Sequence, residues 1–471
     1  MQRRNDISGK WLHLPVEWVV RELPSKLLLG FFAAAAGYQV MIGDQKLFRK
    51  NIHRLPRGLY LRKSFTPGQI DEIDDLRAQG MKLIGNDEEF FAYYGARGIN
   101  VFSAVRADPV TMGQMDSVFA WGDRLVSIME DMFPGSASKM TVTGTARLDL
   151  YRPEFRHIYA EDAAKYRDRY GPFILFNSNL SVATAYKDAN HLLRARGKIA
   201  DGRYDEVRYY NDRIFDFFNR TLAAFLDAIP RVKAAFPDHK LVIRPHPVDR
   251  LEVWTKLAQA HDGIVVVREN HVAPWLLASE AMFHHGCSTA IEGWLLGTPV
   301  ISYQPDHDEE FTEVGAMVSD RATTADELID RLRLVVGKRD IQREGREWMD
   351  DCFAGITGAP ACERAVAALD RIGTEPQVNR YTQIPSWKRL KGGRRLERQW
   401  RYLRDRYLRR PARTLPMGSS WKPHPKWPKR LTVSEIEAQI AAYALGRPEF
   451  ASISVTQIDD ALFVLGKTDA H

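Results

Sequence analysis

The sequence is poor in several features that would fix a protein's class at once. Only three cysteines occur in 471 residues, Cys287, Cys352 and Cys362, and none forms a CxxC pair. That excludes a disulfide framework and points to a reducing, cytoplasmic setting. No apolar core follows the basic start Met1 to Asp6, so no secretory signal is expected. The most apolar stretch, Leu27 to Ile42, is interrupted by Gly30, Gly37, Tyr38 and Gln39. It falls short of the roughly 20 apolar residues that span a bilayer. A buried helix running into a strand is the better reading. No GxGxxG, Walker A or nucleophile-elbow pattern stands where it would need to be.

What is present is ordinary globular material with one anomaly. Aromatics at 11%, 32 glycines and 24 prolines exclude a disordered, fibrous or repeat-only chain. The length predicts two or three domains. The formal charge of +7 hides an asymmetry. Between Lys388 and Arg430 there are 16 Lys/Arg and two acids, Glu397 and Asp405, a local balance of +14. The remaining chain therefore carries −7. It reads as an acidic body with a basic tail.

Along the first 150 residues, helical and strand-like patterns alternate. A helix over Leu23 to Ala36 precedes a strand over Gln39 to Gly43, and a helix after Pro67 precedes a strand over Met81 to Gly85. Strands follow at Ser117 to Trp121 and Met140 to Thr143. A second alternating series starts at Phe173 and, after a charged helical insertion over roughly 185–235, continues through Lys240 to Arg244, Gly263 to Val267, Ala281 to His284 and Thr298 to Tyr303. Such alternation predicts parallel sheets covered by helices. The expected architecture is α/β, with two Rossmann-like doubly wound domains facing across a cleft, at 10–150 and 171–370. A basic C-terminal extension follows at 385–471.

Ligands of open α/β sheets bind beyond the carboxyl ends of the strands. Three such ends in the second half carry suggestive residues. Arg244-Pro245-His246-Pro247 supplies two phosphate donors on a stiffened turn. Gly286, Ser288 and Thr289 precede a helix whose N-terminus favours an anion. Glu292, one turn further on, suits ribose hydroxyls. The plain alternatives are a polar turn after a strand and an ordinary helix cap. Both motifs at successive strand ends favour a nucleotide-phosphate site. His284 and His285 have zinc-ligand chemistry but no third ligand at characteristic spacing, so no metal is expected. In the first half, Asp87 and Glu88 follow a strand and could act as general base or nucleophile. Glu17 and Asp44, at two other strand ends, are acceptor-side candidates.

These residues bring a resemblance with them. Thr143-Gly-Thr-Ala-Arg-Leu-Asp149 resembles the GxPRxD motif of bacterial glycosyltransferase-B proteins, with Ala146 where proline is usual. Arg244 to Pro247 together with Ser288, Thr289, Glu292 and Gly297-Thr-Pro299 resembles their donor-nucleotide half. Leu14-Pro-Val-Glu17 with Arg21 to Leu29 is similar to the bacterial surface carbohydrate biosynthesis family, related to CDP-glycerol glycerophosphotransferases and to the Kdo and sialic acid capsule transferases. The resemblance covers roughly residues 10–365. It implies a nucleotide-sugar-dependent glycosyltransferase of cell-surface glycan assembly, the CMP-activated 2-keto sugar acids among its possible donors. It also implies Asp87 or Glu88 as catalytic acid residue, His246 as phosphate ligand and leaving-group stabiliser, and Ser288 and Thr289 as phosphate ligands. Phe90 stands where those families carry glycine after the acidic pair.

The rival readings are a CDP-glycerol-type phosphotransferase, a nucleotide-sugar epimerase and a non-catalytic glycan-binding scaffold. No cofactor is expected. The partners expected are the donor, a glycan or lipid-linked acceptor and an anionic membrane surface, with no nucleic acid. Leu396, Trp400, Leu403 and Tyr407 stand at helical spacing among arginines. That pattern predicts a peripheral anchor on the inner face of the cytoplasmic membrane through 388–430.

Overall fold

Strands from the two halves of the chain form two separate sheets, each belonging to its own compact unit. The computed structural model describes residues 9–64, 66, 69–87, 109–195, 199, 202–269, 271–306, 308, 311, 314–339, 345–373 and 421–468. Glu88 and the basic stretch Leu396 to Arg410 lie outside the described residues.

The first sheet is built from β1 (Lys10–Val16), β2 (Tyr38–Asp44), β3 (Leu59–Arg62), β4 (Lys82–Gly85), β5 (Ser117–Ala120) and β6 (Met140–Val142), all parallel. Between β1 and β2 runs the helix Val19–Ala35, which buries Leu27, Leu28, Leu29, Phe31 and Phe32. The stretch that looked too short for a membrane span is this helix and the strand after it. Each large side chain so buried contributes about 1.5–3 kcal/mol. Among the described residues, no helix is long and apolar enough to cross a membrane.

The second sheet contains β7 (Phe173–Asn177), β8 (Lys240–Arg244), β9 (Ile264–Val266), β10 (Ala281–His284), β11 (Val300–Tyr303) and β12 (Asp320–Ala322). Its order is β12-β11-β10-β7-β8-β9. Helices cover both faces, so these strands read as nearly unbroken apolar runs. Phe176 stacks on Phe225 and on Phe283, each 5.0 Å away, and meets Trp254 edge-on at 5.4 Å. Phe225 comes from the 32-residue helix Tyr204–Ala235, which fills most of the expected insertion. Two Rossmann-like parallel sheets in one α/β chain are what the sequence pattern called for.

The expected limits at 370 and 385 need correction. Among the described residues, those from Phe353 onward join the first unit, not the second. The Asp149 carboxylate accepts from the backbone N–H of Ala361 at 2.9 Å and of Cys362 at 2.7 Å. It thereby satisfies the N-terminus of the helix Ala361–Ile372. The acid of the Gly-x-x-Arg-x-Asp string is thus a cap for a returning helix. Residues 421–468 are also no separate extension. The hairpin of β13 (Ile453–Asp459) and β14 (Leu462–Lys467) adds to the first sheet, with β14 antiparallel to β2. The helix Val433–Ala444 starts with the capping box Thr432/Glu435. Its Tyr443 packs on Phe31 at 5.8 Å.

Candidate functional site

The strand order of the second sheet fixes where a ligand would sit. The unit's first strand, β7, lies in the middle, with β8 and β9 on one side. The chain then crosses to the other side for β10, β11 and β12. This is the 3-2-1-4-5-6 order of doubly wound nucleotide-binding sheets, whose ligand crevice lies where the order reverses. Here that point is the carboxyl end of β7 and β10.

At the end of β10, His284 is fully buried. Its Nδ1 accepts from the Cys287 N–H at 2.9 Å and its Nε2 lies 2.8 Å from Ser319 Oγ. Burial, with the neighbouring His285 adding to it, lowers the His284 pKa to about 3. The ring is neutral and serves to fold the loop. His285 packs among Phe217, Phe218 and Phe225, and burial lowers its pKa to about 4. Gly286 follows with φ of +63°, a left-handed conformation that favours glycine. Among the described residues, no three His, Cys, Asp or Glu side chains gather as a metal site.

Ser288 precedes the helix Thr289–Leu296, and its hydroxyl makes no cap bond. Thr289 Oγ1 accepts from Asn177 Nδ2 at 2.9 Å and lies 3.0 Å from Cys287 Sγ. The Asn177–Thr289 bond ties the end of β7 to the start of the helix, across the reversal point. Glu292, one turn into the helix, is 1% exposed. Gly297 ends the helix in a left-handed conformation, with φ of +83°.

Arg244, at the end of β8, lies within electrostatic reach of Glu292 and Glu269. Burial nevertheless lowers its pKa to about 10, where it remains a cation at neutral pH. Its guanidinium sits 5.7 Å from the Trp275 ring and donates to the Glu269 carbonyl at 3.0 Å. His246, two residues on, is half-buried, and its Nδ1 accepts from the Val248 N–H at 3.3 Å. Arg244, His246, Gly286, Ser288, Thr289 and Glu292 therefore all occupy the carboxyl edge of one sheet. Three residues there escaped the sequence reading. Asn177 stands at the end of a purely apolar strand, Ser178 follows it, and Asp249 lies at the end of the Arg-Pro-His-Pro turn.

Two acids of the first unit, Asp44 and Glu17, hold other parts of that unit. Asp44 is 1% exposed and caps a short helix through Lys46 N at 2.8 Å. Its carboxylate also accepts from Trp421 Nε1 at 2.7 Å and lies 2.9 Å from His424 Nε2. Glu17 pairs with Lys63 and with Lys426. Burial would raise the Glu17 pKa, but the hydrogen bonds and charges of the two lysines outweigh it, and the net shift is downward. Both acids hold the segment around residues 421–427, which sequence spacing could not reveal. Asp87 is fully buried after β4, and its carbonyl accepts from Trp121 Nε1 at 3.0 Å.

No family model and no curated protein matches the sequence. Among solved structures, the chain is similar in fold to a UDP-GlcNAc 2-epimerase from Methanocaldococcus jannaschii, at 12% identity and TM-score 0.44, over 77% of this chain and 99% of that one. It is similar to the wall teichoic acid polymerase TagF at 9% identity and TM-score 0.49, over 79% and 90%. A UDP-GlcNAc 2-epimerase from Neisseria meningitidis gives 13% identity and TM-score 0.47, over 77% and 100%.

Proposed function

We propose that the chain is a nucleotide-sugar-dependent glycosyltransferase of surface glycan assembly, with its donor nucleotide bound by the second unit. The observation that carries the nucleotide half is the Asn177–Thr289 bond of 2.9 Å at the reversal point of the second sheet. It sets a strand end beside a helix N-terminus whose dipole and amides favour a phosphate. Arg244 and His246 stand at the end of the adjacent strand β8. In transfer, these donors stabilise the phosphate that departs from the sugar, and preorganised charge of this kind is usually the largest catalytic term. The glycosyl half rests on the motifs that resemble the surface carbohydrate family.

The test is transfer and donor hydrolysis across CMP-, CDP-, UDP- and GDP-activated substrates. Heat stabilisation by the free nucleotides selects the base first. Isomerisation of a UDP-sugar without acceptor would move the reading to an epimerase, and a glycerophosphate product to a phosphotransferase. His246→Ala and Ser288→Ala should each lower turnover on the order of 100-fold. A loss under about threefold in both would place the phosphate elsewhere.

We further propose that the basic segment 388–430 brings the enzyme to an anionic membrane surface. Lys388 to Arg413, ahead of the part that joins the first unit, carries twelve Lys/Arg and two acids, a balance of +10 that supports this, since each basic residue near such a surface is worth about 1 kcal/mol. Equal flotation with anionic liposomes, before and after neutral substitution of the arginines between 394 and 410, would reject it.

A further inference from the structure

The turn after β8 is held more firmly than its role as a connection requires, and the bonds that hold it converge on Asp249. This side chain is 4% exposed. One carboxylate oxygen, Oδ2, accepts from Ser178 Oγ at 2.8 Å, from the His246 backbone N–H at 3.2 Å and from Trp254 Nε1 at 3.2 Å. The other, Oδ1, accepts from Thr184 Oγ1 at 2.9 Å. A carboxylate offers about four lone-pair sites. Those of Asp249 are spent inside the protein, so it is not itself a ligand group.

Burying a carboxylate is costly unless it is fully hydrogen-bonded. Here the bonds come from four places: the end of β7, the short helix Ser181–Ala185, the turn itself and the helix Leu251–Ala260. Their common product is the position of residue 246. The His246 N–H goes to Asp249 Oδ2, and the His246 carbonyl accepts from the Asp249 N–H at 2.9 Å. Arg268 Nη2 then donates to both carbonyls, of His246 at 2.8 Å and of Asp249 at 2.7 Å. Ser178 adds the β7 side, its N–H donating to the Arg244 carbonyl at 3.0 Å.

Within this frame the imidazole has little choice. The Val248 N–H donates to His246 Nδ1, so in the neutral ring Nδ1 is the acceptor and Nε2 carries the proton. A neutral ring in this tautomer is a hydrogen-bond donor at Nε2 without needing a charge. We propose that Asp249 is the positioning residue of the donor site, holding the turn Pro245–Val248 so that His246 presents its Nε2–H to an anionic oxygen of the nucleotide. This rests on the proposed function for the identity of the ligand. The coupling between Asp249 and the His246 ring stands on the geometry alone.

The experiment uses the full chain with Asp249→Asn, which keeps the shape but replaces one acceptor oxygen by a donor. Nitrogen chemical shifts of the His246 ring should show the Nε2–H tautomer in the parent and a mixture in the variant. Affinity for the nucleotide that the parent binds best, measured by calorimetry, should fall about tenfold. In a His246→Ala background the same change should cost under about twofold, because neighbours acting through one another are not additive. Thr221→Ala, a buried change on the helix Tyr204–Ala235, serves as the control for general loosening. Arg268→Met removes an exposed side chain, leaves the buried carboxylate intact and should weaken binding in the same non-additive way. It decides the matter if Asp249→Asn fails to fold.

An unchanged tautomer, or an equal loss of affinity with and without His246, would reduce Asp249 to a structural residue. If the parent binds no nucleotide at all, the proposed function falls, while the tautomer still decides whether Asp249 sets the ring.

Discussion

Trp421 donates its indole N–H to the Asp44 carboxylate at 2.7 Å, closing a separation of 377 residues. Asp44 sits at the end of β2, between β14 and β1 in the first sheet, and Trp421 opens the described C-terminal segment. Around this bond, Trp427 Nε1 donates to the Val16 carbonyl at 3.3 Å and the Val19 N–H to the Lys426 carbonyl at 3.1 Å. The C-terminal segment is thus a structural component of the first unit, standing on the carboxyl ends of β1 and β2.

Asp44→Ala should therefore behave as a core mutation, although aspartate is usually a surface residue. It strands the Trp421 indole and the Lys46 N–H, and a buried unsatisfied donor costs about 1–3 kcal/mol. Urea unfolding should show a loss of about 2–4 kcal/mol. Trp421→Phe, which removes one donor and leaves the others, should cost less. Equal stability for parent and Asp44→Ala would mean that the segment contributes little to the fold.

Gly43 makes a sharper test of the same interface. It pairs with Leu462 of β14, and a Cβ placed there would lie 2.1 Å from the Ala461 carbonyl oxygen. Backbone cannot yield as a side-chain tip can. Gly43→Ala should separate β14 from β2 and cost at least the 1–3 kcal/mol typical of overpacking. It should also expose the edge of β2 and promote aggregation. Hydrogen exchange should speed up in Leu462–Lys467 before it does in β4 or β5.

Acid should unfold the protein earlier than its carboxylates alone would. His13, His284 and His285 are buried, and burial lowers their pKa values from 6.5 to about 4, 3 and 4. In the unfolded chain these rings take up protons near pH 6.5, whereas in the folded chain they resist. Stability from this source is complete above pH 6.5 and is lost as pH falls toward the folded values. Each ring adds a slope of about 1.4 kcal/mol per pH unit, together about 4. Denaturation midpoints measured from pH 7.5 down to 4.5 should fall steeply below about pH 6. His284→Asn should be less stable at pH 7.5 yet show a shallower slope. An unchanged midpoint down to pH 5 would contradict the neutral buried rings.

The sequence made the parallel sheets legible because strands buried on both faces are apolar runs, as in Phe173–Asn177 and Val300–Tyr303. The Arg244, His246 and Ser288 positions were legible for a related reason, being polar residues at the ends of such runs. What escaped notice depended on contacts distant along the chain. Asn177 differs from any strand-end asparagine only through Thr289, 112 residues away. That Asp44 and Glu17 hold Trp421 and Lys426, 377 and 409 residues away, shows only in the fold. The last hairpin pairs with β2, and no local pattern in Ile453 to Lys467 announces which strand it will join.

Asn177 offers a direct test of whether the crevice takes an anion. Asn177→Asp keeps the size of the side chain, and its carboxylate can still bond to Thr289 by accepting from the hydroxyl. Asn177 is buried, so the new carboxylate should cost stability unless it is fully hydrogen-bonded, and the affinities are compared on protein shown to be folded. The added negative charge, however, would stand at the reversal point of the sheet, and a phosphate seated at the helix N-terminus would lie on the order of 5 Å from it, since Asn177 bonds to Thr289 there. At an effective dielectric near 20, two unit charges at that distance repel by about 3 kcal/mol, roughly 100-fold in affinity. A nucleoside without phosphate should bind parent and variant alike, whereas the diphosphate should lose most of its affinity to the variant. Equal losses for both ligands would indicate damage to the pocket, and no loss for either would remove the phosphate from this crevice.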